Sequence, residues 1–224
     1  MKHSVFFSLL LLNMSIYCQT GVFKCGEKLI DSRDNRSYET VQIGSQCWMR
    51  QNLNIGELVR DMQQTKNQKI EKTCYQNDEK LCAIMGGLYT WDEAMQYKEG
   101  NQGICPEGWR IPSKEDWQTL VSYLGVEEAG QKLKVSEDGA LCKWDGTNES
   151  GFSALPSGAA NHAYFKRKDQ WALFWTSTTE NNERAWFAQL DSYWYPEPPK
   201  YKTLFIGNYY LKTNGFSVRC IKND

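Results

Sequence analysis

The chain reads as an α+β domain stapled by disulfides. Three observations lead there. Two capped helices come before the middle third of the chain ends, between Trp91 and Leu124. The second half is dominated by strand-like runs rich in aromatic and β-branched residues. Eight cysteines are scattered along 224 residues.

The first strands are expected at Lys28 to Asp31 and Tyr38 to Ile43, a hairpin turning at Asp34-Asn35. A helix follows from about Trp91 to Tyr97, with Thr90 and Glu93 as a capping box. The clearest helix runs from Ser113 to Leu124. Ser113 is its N-cap, Glu115 and Asp116 lie in its positive first turn, and Gly125 stops it. Trp117, Leu120, Val121 and Leu124 recur at helical spacing and give one buried face. A short third helix is expected over Glu127 to Leu133. Later strands are expected at Ala172 to Ser177, Ala185 to Leu190 and Gly215 to Ile221. The segment Tyr75 to Leu81 reads as a polar loop between Cys74 and Cys82.

Charge excludes some classes. With 26 basic and 27 acidic residues the formal net charge is −1, which argues against a nucleic-acid wrapper or an acidic tail. Lys2 and His3 precede the apolar run Val5 to Met14, too short to span a bilayer but suited to a secretory leader. Residues 1–18 are therefore read as a signal peptide, cut near Ser15 to Cys18, and 19–224 as one domain without an internal linker or repeat. A lipid anchor at Cys18 is disfavoured by the bulky Tyr17 before it. No later segment has the length of a membrane span. The expected location is outside the cell or in the envelope of a bacterium.

Export makes the cysteines disulfide candidates. Cys25 and Cys47 flank the hairpin, whose fold brings them within reach of each other. Cys74 and Cys82 could close a local loop. Cys105 and Cys220 would tie mid-chain to the last strand, a closure that contributes ~4–5 kcal/mol in the chain-entropy account. Cys142 is left as a buried thiol or a partner for Cys18. No C-x-x-C pair or histidine spacing suggests zinc.

Five ordered blocks resemble the Fibrobacter succinogenes major paralogous domain family. They are Asp31 to Leu53; Cys74 to Cys82 with Gly87 to Trp91; Cys105-Pro-Glu-Gly-Trp-Arg-Ile-Pro112 with Trp117; Gly151 to Gly158; and Phe174 to Thr178 with Ala185-Trp186. The chain closes on Gly215-Phe-Ser-Val-Arg-Cys220. The resemblance implies a C-type-lectin-like fold in an exported or cell-surface bacterial protein: a mixed, mostly antiparallel sheet that holds the chain ends, two flanking helices, and long irregular loops, one of which carries the ligand sites.

Familiar chemistries fit poorly. The calcium loop of C-type lectins needs an amide or acid after its proline, whereas Glu197-Pro198-Pro199 has a second proline, and no Trp-Asn-Asp strand is present. Asp31, Asp34 and Asn35 are better read as a hairpin turn than as an oxygen cluster. A formylglycine-type oxidase needs two neighbouring cysteines in the C-terminal half, where Cys142 and Cys220 stand far apart. His162 is the one histidine beyond the leader, and no G-x-S-x-G elbow accompanies it, so it reads as a solvent-facing residue. No acid pair stands out for glycoside cleavage, and Glu127 and Glu128 read as helix first-turn charges.

The remaining candidate is the stretch from Asp191 to Tyr201. Pro196, Pro198 and Pro199 forbid an interior strand and expose Tyr193, Trp194, Tyr195, Glu197 and Tyr201 on a stiff loop. Such rings suit a sugar face or a protein pocket at small ordering cost. Trp48, Trp91, Trp109, Trp117, Trp175 and Trp186 are assigned to the core. The expected function is an exported, non-enzymatic binding or adhesion module without a cofactor, its partner a glycan or an envelope or surface protein. The alternatives are a hydrolase-type enzyme with an unrecognised carboxylate site and a structural envelope component.

Overall fold

A computed structural model of the chain describes residues 23–98, 100–136, 144–162, 164–192 and 202–223. The expected leader, Cys18, Cys142, and the candidate residues Tyr193, Trp194, Tyr195, Glu197 and Tyr201 lie outside the described residues.

In chain order the strands and helices begin with β1 (Leu29–Ile30), β2 (Ser37–Tyr38), β3 (Thr40–Ile43), β4 (Gln46–Met49), β5 (Glu57–Leu58) and β6 (Glu71–Lys72). A 3₁₀ turn (Tyr75–Asn77), α1 (Glu79–Met85), α2 (Trp91–Ala94), β7 (Trp109–Arg110), α3 (Lys114–Leu124) and α4 (Ala129–Leu133) follow. The last elements are β8 (Ala159–Asn161), β9 (Tyr164–Lys166), β10 (Trp171–Thr179), β11 (Ala185–Asp191), β12 (Phe205–Gly207), β13 (Asn214–Gly215) and β14 (Ile221–Lys222). The sheets are ordered β3-β4-β14-β7, β10-β11-β12 and β13-β8-β9, with two-stranded pairs β1-β2 and β5-β6. All pairings between named strands are antiparallel except β5-β6.

Local chemistry explains the elements that the sequence announces. In the first hairpin Leu29 faces Tyr38, and the backbone N–H of Asn35 donates to the Asp31 carbonyl. The Asp31 carboxylate is taken by the Arg33 guanidinium at 2.8 and 2.7 Å, and Asp34 pairs with Arg36. These oxygens thus serve the turn. At α3 the Ser113 hydroxyl accepts from the Asp116 N–H, and the Asp116 carboxylate accepts from the Ser113 N–H at 2.6 Å, which closes a capping box. Cys25–Cys47, Cys74–Cys82 and Cys105–Cys220 are disulfide-bonded.

Several expectations need correction. The segment Tyr75 to Leu81 is a 3₁₀ turn running into α1, whose N-cap Asp78 accepts from the Lys80 N–H. The helices therefore number four among the described residues, rather than two or three. α2 ends at Ala94, since Gln96 and Tyr97 take positive φ. Its capping box is half formed. Thr90 accepts from the Glu93 N–H, but the Thr90 N–H goes to Gln64, and the Glu93 carboxylate accepts from the Glu71 N–H. α4 starts at Ala129, so Glu127 and Glu128 precede it, and Glu128 pairs along the surface with Lys132.

The expected strand Gly215 to Ile221 is broken between β13 and β14. Ser217 makes backbone hydrogen bonds with Leu173 and Trp175 of β10. Beyond it, Arg219 turns fully inward. Its guanidinium donates to the Asn52 side-chain oxygen at 2.6 and 3.0 Å and to the Phe152 carbonyl, and lies 4.3 Å from the Phe152 ring centroid. Asn52 in turn donates to the Met85 carbonyl and the Ser217 hydroxyl. A buried cation is tolerable here because lone pairs and ring faces replace water.

Among the described residues three apolar clusters fill the interior, a small one around Met62, Tyr75, Leu88 and Ala160 and two large ones. One gathers Trp48, Trp117, Phe152 and Phe174 between α3, β4 and β10. The other gathers Tyr89, Trp109, Trp175, Phe187 and Phe216. Trp91 and Trp186 are only half-buried, against expectation. Each carries a lysine ammonium 4.2 Å from its ring centroid, Lys212 over Trp91 and Lys114 over Trp186. The lysine stems cover rings that the core does not reach.

Candidate functional site

Alternation along β11 builds the site. Ala188 and Leu190 turn to the Trp117 cluster, while Ala185 and Phe187 turn to the Trp175 cluster. Gln189 and Asp191 continue that second stripe, so the apolar row ends in an amide and a carboxylate. Trp171 of β10 stands directly opposite Asp191, and Phe205 of β12 directly opposite Gln189. Tyr209 and Tyr210 follow β12, their ring centroids 4.7 Å apart.

These residues, with Thr203, line a cavity of about 400 Å³. Its rings are continuous with the interior. Trp175 packs on Phe216 at 4.3 Å, Phe216 on Tyr210 at 5.1 Å, and Tyr209 on Phe205 at 6.0 Å. Tyr209 and Phe205 are nevertheless 54% and 46% exposed. The core thus stiffens a set of rings that reach solvent.

The polar groups are held firmly. Gln189 donates from Nε2 to Asp191 Oδ1 at 2.7 Å, which fixes the amide orientation. Its Oε1 is buried and has no hydrogen-bond partner among the described residues, in a residue only 7% exposed. From behind, the buried Lys134 ammonium donates to the Asp191 carbonyl at 2.5 Å and to Asp145 at 2.9 Å. Desolvation pulls the Lys134 pKa down, and Asp145 and Asp191 oppose it. Burial pushes the Tyr210 hydroxyl up to about 12, with Tyr209 and Asp191 adding to the effect, so it stays protonated at neutral pH.

Of the expected contact stretch, Asp191 lines the cavity and the Ser192 N–H donates to the Gln170 carbonyl. The ring-bearing part lies outside the described residues, but Asp191 and Thr203 stand at its two chain ends, in the cavity wall. Sequence reasoning missed Trp171, Gln189, Phe205, Tyr209 and Tyr210. The available signals were the polar end of the Ala185-Phe187-Gln189-Asp191 alternation and the adjacent tyrosines after Gly207.

Two further cavities among the described residues are larger. One of about 580 Å³ lies between Lys66, Trp91, Asp92, Tyr97 and Lys98. The other, of about 520 Å³, includes Phe23, Gln46 and the Arg110–Asp116 ion pair. Each of the three presents one carboxylate among the described residues. His162 sits exposed at the β8–β9 turn. Among the described residues no three His, Cys, Asp or Glu side chains group as a metal site, and no helix is long and apolar enough to cross a membrane.

Comparison with known families matches residues 41–222 to the Fibrobacter succinogenes major domain. The chain belongs to that family. Comparisons with curated proteins and with solved structures return no match. Within this Fibrobacter succinogenes major domain, Asn52, Phe152 and Arg219 join three of the recognisable blocks, and the cavity lies beside the Phe174–Thr178 and Ala185–Trp186 blocks.

Proposed function

We propose that the chain is an exported, non-enzymatic binding module of a bacterial envelope or surface, a single domain following a cleaved leader, with a C-type-lectin-like fold. The ring-lined cavity between the two ends of the 193–201 segment carries this reading. Rings line that cavity, and the chain between its wall residues Asp191 and Thr203 is dense in rings and prolines by sequence. Three disulfides accord with an oxidising compartment. The fold assignment is supported by a sheet in which β14, near the C-terminal end, lies between the early strand β4 and β7. An enzyme reading would gain from two acids converging in one cavity, and the three cavities described hold one each.

Tyr209→Ala and Trp194→Ala test the surface. Pull-down from the native envelope and a glycan array should both be run with the full chain. Loss of captured partner in either variant, with an unchanged melting profile, supports the assignment. Undiminished capture by both variants removes it.

A further inference from the structure

We infer that the cavity between Trp171, Gln189, Asp191, Thr203, Phe205 and Tyr209 receives an uncharged pyranose ring, the terminal or internal unit of a glycan. The inference rests on the binding-module reading and specifies its ligand chemistry.

The decisive group is Gln189. Its carbonyl oxygen is a buried acceptor left unpaired among the described residues, a condition uncommon without a use. The amide cannot turn away to relieve it without losing its hydrogen bond to Asp191. A ligand O–H or N–H reaching this oxygen would satisfy it. Thr203 and Tyr209 bring hydroxyls to the same cavity, and Asp191 a carboxylate. No lysine or arginine lines it among the described residues, although the Arg167 guanidinium lies 5.0 Å from the Trp171 ring centroid.

The rings supply the rest. Trp171, Phe205, Tyr209 and Tyr210 present faces and edges of opposite partial charge. A pyranose matches both halves of such a site. Its C–H face is apolar and faintly positive, suited to a ring face, and its equatorial hydroxyls reach the amide and carboxylate at the edge. The volume of about 400 Å³ falls within the usual span of small-ligand sites. A quaternary ammonium would also suit rings with a carboxylate, but it has no donor for Gln189 Oε1. The unpaired acceptor therefore favours the hydroxyl-bearing ligand.

Saturation-transfer NMR on the full oxidised chain tests this. The probes are the methyl glycosides of glucose, galactose, mannose, xylose and N-acetylglucosamine, with tetramethylammonium, which has no hydrogen-bond donor, as the cationic comparison. The expected result is transfer to at least one methyl pyranoside. Gln189→Met, which keeps the chain's length and removes the acceptor, should weaken it by about tenfold. Tyr209→Ala should weaken it at least as much. Tyr209 is exposed, so this variant remains informative if Gln189→Met fails to fold. Transfer to tetramethylammonium alone overturns the saccharide assignment. Pyranoside binding indifferent to both variants overturns the site. Silence toward every pyranoside, with envelope-protein capture retained and lost in Tyr209→Ala, overturns the saccharide while leaving the binding module intact.

Discussion

The Lys134 ammonium holds the Asp191 backbone carbonyl at 2.5 Å from the interior side of β11. It also reaches Asp145 at 2.9 Å and lies 4.9 Å from the Trp144 ring centroid. One buried cation thus fixes the last residue of β11, whose side chain orients Gln189. Lys134→Met should destabilise the chain by about 3 kcal/mol, since it strips Asp145 of its ammonium and the Asp191 carbonyl of its donor. Urea unfolding measures this. A loss below about 1 kcal/mol would show that the contact is idle.

Gly130 of α4 supports the opposite rim. A Cβ there would stand 2.3 Å from the Thr203 carbonyl oxygen and 2.6 Å from that of Lys202. Both atoms are backbone, so no side chain can yield. Gly130→Ala should cost about 1–3 kcal/mol and displace Thr203 from the cavity wall. Thermal unfolding, with amide chemical shifts at 202–205, would record both effects. An unchanged melting temperature would mean that the 202–203 backbone gives way freely.

Acid should weaken the chain through Asp116. Burial works against its charge, but the Arg110 guanidinium and the Ser113 N–H outweigh burial and hold its carboxyl below the ordinary value of 3.8. A carboxylate depressed by folding contributes its full stability above the unfolded pKa and loses it as pH falls through the folded one. Stability should therefore decline progressively below about pH 4. Asp116→Asn should be about 2 kcal/mol less stable at neutral pH and show a shallower acid decline. Asp31, depressed in the same direction, preserves part of the slope. Denaturant titrations from neutrality down to about pH 2 test the pattern, and parallel curves for the two proteins would exclude Asp116 as a source.

The three disulfides should rank by the loop each closes. Cys105–Cys220 spans 115 residues, Cys25–Cys47 spans 22 and Cys74–Cys82 spans 8. Paired serine substitutions should cost about 5, 3 and 2–3 kcal/mol respectively in the chain-entropy account. Unfolding of the three double variants gives the order directly, and an inverted order would place the effect in packing around the sulfurs.

What the sequence disclosed was local. Ser113, Asp116 and Gly125 mark α3 because caps and first-turn charges act within one helical turn. The hairpin at Asp34-Asn35 was legible for the same reason, and it brought Cys25 toward Cys47. The break after Gly215 was not, because Ser217 takes its partners from β10, more than forty residues away. Trp91 and Trp186 look like core residues by type, yet their exposure depends on where Lys212 and Lys114 fold across them. Gln189 is illegible alone. Its unpaired oxygen acquires meaning only when Trp171, Phe205 and Tyr209 arrive from distant positions.

The Cys105–Cys220 bond encloses every described wall residue of the cavity and the whole 193–201 stretch. A protease that nicks the chain once within that stretch cannot release either piece. The cut protein would run as one species until reduced, then as two. Its cavity walls would stay covalently joined through the sulfur bridge while the proline-rich arm hangs open at one point. Ligand retention in the nicked, unreduced form would therefore separate what the rings of the wall contribute from what the arm contributes, without a single substitution.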